Sequence, residues 1–168
     1  MKKTVLILLC ILGMSKAYSQ SDGALHIEAG LTLGTSSHSV MPTGVNMDLN
    51  YDLTKCLSVH ALAQADYFIP KEGLTDKYNK ALNLGGGLGY VLCPAICSGH
   101  FEARASFTSS VGSNLYNHNS VDAGFYWVGK SAVKSFVPVA GVGFSHKNFR
   151  NHSLKSYNGF VVSLGLRF

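Results

Sequence analysis

Charge is scarce in this chain. Asp, Glu, Lys and Arg make up 14% of 168 residues, whereas the surface of a soluble domain carries about 25–35%. Long hydrophobic runs are also missing. The one extended apolar stretch, "VLILLCILGM" near the start, covers about ten residues, half of the ~20 that a membrane-spanning helix needs. A helical-bundle membrane protein is thereby excluded. Proline occurs four times and no segment has a helical period, so neither a proline-rich linker nor an amphipathic helix is expected. The seven histidines are scattered without tight ligand spacing, and no CxxC occurs. His146 and His152 share a segment with Lys147 and Arg150, whose charge opposes a cation. No metal, no cofactor and no thioredoxin-like chemistry is expected.

The first residues have the form of an export signal. "MKKTVLILLCILGMSKAYSQ" offers two lysines, a short apolar core and small residues at Ala17 and Ser19. Cleavage is expected after Ser19 or Gln20, leaving one domain over residues 20–168. Removing Lys2, Lys3 and Lys16 takes the 14 basic residues to 11 against 9 acidic ones. The remaining charge is too small for a nucleic-acid surface, so no nucleic-acid partner is expected.

What the rest of the chain does contain is alternation. "GFVVSLGLRF" places Phe160, Val162, Leu164, Leu166 and Phe168 on one side of an extended strand, with Gly159, Val161, Ser163, Gly165 and Arg167 on the other. Seven earlier segments repeat this period of two. They begin near Leu25, Val45, Leu57, Leu82, Phe101, Val121 and Val137. Pro138 makes the seventh the least regular, since proline favours an edge or a bulge. The gaps alternate between long polar stretches ("TSSHSVMPT", "FIPKEGLTDKYNK", "SSVGSNLYNHN", "KNFRNHSLKS") and shorter ones ("TK", "CPAICSG", "GKSAVKS"). The pattern predicts an all-β fold, an eight-stranded antiparallel up-and-down transmembrane β-barrel, with both termini at the short-turn end.

A soluble barrel would turn its apolar face inward. Here the polar faces are built of Gly, Ser, Asn and Thr, which suit a crowded interior, while the apolar faces carry aromatics near the strand ends. Tyr51, Tyr90, Phe101, Trp127 and Phe168 are expected in one interfacial girdle, and Tyr67, Phe107, Phe144 and Tyr157 nearer the other. Eight strands enclose room for side chains but no open pore. Glu28, Asp48, Asp66, Glu102, Arg104, Asp122 and Arg167 fall on the interior face, joined by His26 and His60. They are expected to pair as a structural charge network, because unpaired buried charge is costly. Carboxylates outnumber arginines in that set, so further partners are required.

With its signal segment, its eight strands, "PVAGVGF" in the seventh and the terminal "SLGLRF", the chain resembles the small eight-stranded outer-membrane barrels of Gram-negative bacteria, the outer membrane protein beta-barrel domain kind. The resemblance implies residence in the cell outer membrane, contact with membrane lipid and lipopolysaccharide, and a monomeric state. It also implies that Phe168 is an assembly signal read by the barrel-assembly machinery. The expected role is structural or surface-exposed and non-enzymatic. Two alternatives are carried. Lys147, Arg150 and Lys155, with no acid between them, could form an anion-binding loop of a surface-binding module. A lipid A deacylase-like hydrolase would need a His-x-Ser-Asn type motif, and neither "FSHKNF" nor "NHS" has that spacing. Of the cysteines outside the signal, Cys56 and Cys93 are brought near one another by pairing of the third and fourth strands. Cys93 with Cys97 is the rival bridge.

Overall fold

The computed structural model describes residues 25–37, 40–70, 79–96, 99–130 and 136–168, with the side chains of residues 70 and 93–96 excluded. The signal segment and its cleavage site lie outside them. Eight strands follow one another along the chain: β1 (Leu25–Gly34), β2 (Val40–Asp52), β3 (Leu57–Pro70), β4 (Asn79–Ile96), β5 (Gly99–Val111), β6 (His118–Gly129), β7 (Val137–Phe149) and β8 (Tyr157–Arg167). Each pairs antiparallel with the next, and β1 closes on β8 to complete a barrel. The expected fold class is observed.

The pairing also fixes the barrel's shape. A path from Gly34 runs across successive partners Val161, Gly143, Gly124, Arg104, Gly89, Ser58 and Asp52. It comes back to β1 about ten residues from its start. That stagger tilts the strands within the range of about 35–45° usual for barrels. At a rise of ~3.3 Å per residue, the 11 residues of β8 then cover roughly 28 Å along the axis, close to the ~25 Å apolar band of an outer-membrane barrel.

Alternation sorts the side chains as expected. Leu31, Met47, Leu88, Phe125, Val142, Phe160 and Leu164 are exposed on the outer wall, while Glu28, Asp48, Asn50, Asp66, Glu102, Lys147 and Arg167 are buried inside. Pro138 is the second residue of β7, opposite Leu166 of β8. A strand's start tolerates its missing N–H. The ladder irregularities lie elsewhere, between β4 and β5 at Val91–Cys93 and Cys93–Ile96.

The strands run further than their outward apolar pattern indicates. β2 begins at Val40, inside "TSSHSVMPT", and β7 runs to Phe149, inside "KNFRNHSLKS", which leaves 150–156 before β8. At the terminal end, the connection over 130–136 is as long as the latter. The expected contrast between long and short connections is therefore weak. Among the polar residues read as loop, Ser110, His118 and Lys147 are interior residues of strand continuations.

One such continuation builds the apolar core. Phe68 and Phe149 hold the same inward parity as Asp66 and Lys147 but sit one step nearer the far end of the barrel. They meet Tyr116, Val40, Ala81 and Tyr157 in a buried cluster. Phe68 stacks on Tyr116 at 5.1 Å and meets Phe149 edge-on at 5.3 Å. This cluster lids the lumen at the end opposite the termini. Tyr157, expected in the outer girdle, is instead 1% exposed. It shares the parity of Gly159 and Ser163, and its hydroxyl rests where a Cβ on Gly159 would collide with it.

Candidate functional site

The interior divides into layers below this lid. Nearest the termini is a vestibule of about 420 Å³, lined among others by His26, Asp52, Cys56, Ser58, His100, Glu102, Phe136, Arg167 and Phe168. His26 Nε2 is 3.3 Å from Asp52 Oδ2 at its rim.

The vestibule floor is an ionic layer that spans the lumen. Arg104 of β5 forks onto Glu28 of β1, on the opposite wall, at 2.8 and 3.0 Å. Its Nε donates to Glu102 at 2.9 Å. Arg167 donates to Glu28 at 2.6 Å and to both oxygens of Glu102 at 3.2 Å. His100 lies 2.6 Å from the same Glu102. Two arginines thus alternate with two carboxylates, each satisfied bidentately or by several donors, the arrangement that makes a buried ion cluster tolerable. The Arg104 guanidinium also covers the Tyr126 ring at 4.4 Å, a cation–π contact. Tyr126 lies across β7 where Gly141 has no side chain; a Cβ there would collide with the ring.

A second ionic layer lies toward the lid, and it runs between the other pair of opposite walls. Lys147 of β7 donates to Asp66 of β3 at 2.7 Å. Asn83 and Gln64 donate to the same carboxylate at 3.0 and 2.6 Å, and His118 Nε2 lies 3.1 Å from it. Between the layers are two small polar cavities of about 50 Å³ each. Asn46 Oδ1, Asp48 Oδ1 and Ser145 Oγ line them and have no protein partner among the described residues. Each cavity has room and polar groups enough to hold a water.

All seven predicted interior residues therefore face the lumen, but they do not form one network. Glu28, Glu102, Arg104 and Arg167 make the lower layer, with Asp48 reaching it only at 4.0 Å from Arg104. Asp66 belongs to the upper layer. Asp122 accepts from Ser120 at 2.9 Å, and Ser120 meets Thr108 at 2.7 Å. The further side chains beside these carboxylates are Lys147 and the histidines at 60, 100 and 118. Continuing the parity Gly143, Ser145, Lys147 places that lysine inside; its polar neighbours made it read as loop.

This takes Lys147 out of the expected anion-binding loop. Lys147 is 2% exposed and committed to Asp66. Arg150 is exposed, yet donates to Ser109 Oγ and the Ser110 carbonyl at 2.8 Å, tying the final loop to β5. Of the three, Lys155 alone extends from the loop without a described contact.

The residues weighed for the hydrolase alternative have other partners. His146 Nδ1 lies 2.6 Å from Asn158, and Ser153 donates to Asn151 at 2.6 Å. Neither pairs a base with a nucleophile.

At the terminal end, Phe168 is 59% exposed and its backbone N–H donates to Ile27 at 2.8 Å. Cys56 stands as an exposed free thiol where a bridge to Cys93 was expected. Its carbonyl accepts from Val91 N at 2.8 Å, so Cys93 lies two residues past its cross-strand partner, at the ladder irregularity. The Cys93 side chain and the whole of Cys97 lie outside the described residues. Among the described residues no group of three or more metal-ligating side chains converges.

No protein-family model matches the chain, and no curated protein matches it.

Proposed function

We propose that the protein is a small outer-membrane β-barrel of a Gram-negative envelope, of the outer membrane protein beta-barrel domain kind. It is exported by its N-terminal segment and serves as a structural or surface-exposed component rather than a channel. The observation that carries this reading is the inversion of polarity across the wall. Large apolar side chains such as Leu31, Leu88, Phe125, Val142 and Leu164 are 56–60% exposed all round the barrel, while charged ones are buried in its axis. In water such a surface would far exceed the few hundred Å² of contiguous apolar patch that soluble monomers carry. In lipid it is the required surface.

The interior supports the absence of a pore. Two crossed ion-paired layers and an aromatic lid fill the lumen, so solute flow would require breaking a buried pair. Ring closure leaves no free strand edge, which favours a monomer. Membrane lipid and lipopolysaccharide are the partners of the wall, and the assembly machinery is the partner of Phe168. An envelope role of this kind needs no catalysis.

Two measurements test the reading together. The protein should fractionate with the outer membrane and migrate differently on gels before and after boiling, and it should give no ion conductance in planar bilayers. Recovery as a freely soluble periplasmic protein, or steady conductance, would overturn it.

A further inference from the structure

Three interior side chains outside the ionic layers are joined in a defined order. His60 Nδ1 lies 2.6 Å from Asp48 Oδ2, and His60 Nε2 lies 3.0 Å from Ser58 Oγ. All three are buried, at 3–7% exposure. An ionised carboxylate can only accept, so the short contact fixes the imidazole proton on Nδ1. Nε2 then presents its lone pair, and the Ser58 hydroxyl donates to it. This is the atom order in which a carboxylate orients an imidazole and the imidazole draws the proton from a serine.

Placement adds to connectivity. Ser58 lines the vestibule of about 420 Å³, while Asp48 and His60 line the small cavity behind it. The hydroxyl is thus on the open side and its base on the closed side. The vestibule's volume is within the ~300–1,000 Å³ of small-molecule sites, and Leu57, Val91 and Phe136 give it apolar wall. Gly89 of β4 makes the contact possible. A Cβ there would overlap Ser58 Oγ and sit 2.6 Å from His60 Nε2.

We propose that Ser58 is an ester-reactive nucleophile activated by His60, with Asp48 as the positioning residue, and that the vestibule admits small carboxylic esters with short acyl chains. Ser58 Oγ bonds to the carbonyl carbon as its proton passes to His60 Nε2. Collapse of the adduct breaks the ester C–O bond, and His60 returns the proton to the departing alkoxide. Water then attacks the acyl-serine, giving its proton to His60, which passes it to Ser58 Oγ as the carboxylic acid leaves. Ladder bonds of β2, β3 and β4 occupy neighbouring backbone donors, so the oxyanion gains little support and turnover is slow. The covalent adduct is therefore the readout.

The test uses the full chain in detergent, verified as folded by its heat-modifiable migration, and a fluorophosphonate probe. The probe's phosphorus bonds to Ser58 Oγ, fluoride leaves and the proton goes to His60. One adduct is expected, mapped by mass spectrometry to the Ser58 peptide and absent from Ser58→Ala and from the urea-unfolded chain. His60→Gln should slow labelling by about 100-fold or more. Asp48→Asn should displace the pH profile of labelling, and Asp48→Glu should partly restore it. No adduct on Ser58 of the folded parent would overturn the proposal by itself, whatever the variants' folding. So would equal labelling of folded and unfolded chain, equal rates for parent and folded His60→Gln, or an unmoved pH profile in Asp48→Asn.

Discussion

Replacing Lys147 with Met removes one charge from the upper ionic layer while keeping most of the side-chain volume. Both partners are nearly excluded from solvent, Lys147 at 2% and Asp66 at 1% exposure, and the pair is 2.7 Å apart. Breaking a buried pair by removing one member costs about 3–5 kcal/mol, because the other charge is left uncompensated. Two donors remain around Asp66, from Asn83 and Gln64, which places the expected loss toward ~3 kcal/mol. Equilibrium urea unfolding in phospholipid vesicles, followed by Trp127 fluorescence, measures it. Adding Asp66→Asn should recover at least about half of the loss, since no carboxylate is then stranded. A loss below about 1 kcal/mol, or a double variant no milder than the single one, would refute the reasoning. It would mean that water reaches Asp66 past the aromatic lid.

Further substitutions probe other layers. Val142→Arg, near the middle of β7 on the outer wall, should cost about 2–4 kcal/mol in a bilayer; a loss under 1 kcal/mol in the same unfolding assay would mean the position does not face acyl chains. Gly141→Ala should cost about 1–3 kcal/mol by overpacking against Tyr126, and a Tyr126→Leu background should relieve it; an additive double variant would contradict the contact. Phe168→Ala should lower assembled yield in cells with little change in unfolding midpoint, and an unchanged yield would reduce Phe168 to a girdle residue. Alkylation followed by non-reducing peptide mapping should find the Cys56 thiol modified; a Cys56–Cys93 bridge would show that the strand ends move closer than the present register.

The architecture was legible because a period of two survives in every strand, and because small polar residues on one face distinguish a filled lumen from a wet exterior. The interior charges were legible for the same reason. What escaped the sequence were the places where the interior changes character. Phe68, Phe149 and Tyr157 carry inward parity but apolar side chains, so on a reading of polar as inside they appear to end or invert a strand. Lys147 lies between His146 and Asn148 and has the composition of a loop. Its parity with Ser145 marked it as interior, but its partner Asp66 is 81 residues away on the opposite wall. The order Asp48–His60–Ser58 was equally hidden. Each residue's facing follows from alternation, yet the contacts depend on the β2–β3 register, which pairs Asp48 with Leu62 and Asn50 with His60.

The central claim is that the outer wall meets lipid and the axis does not. Single labels at Leu164 and Ser163, adjacent on β8, test it most directly, with the protein refolded into vesicles whose acyl chains are brominated. Leu164 is 60% exposed on the wall, while Ser163 lines both small interior cavities. Strong quenching at Leu164 with little at Ser163, reversing at each step along the strand, is the predicted result. Equal quenching at the two sites, or none at either, would contradict it.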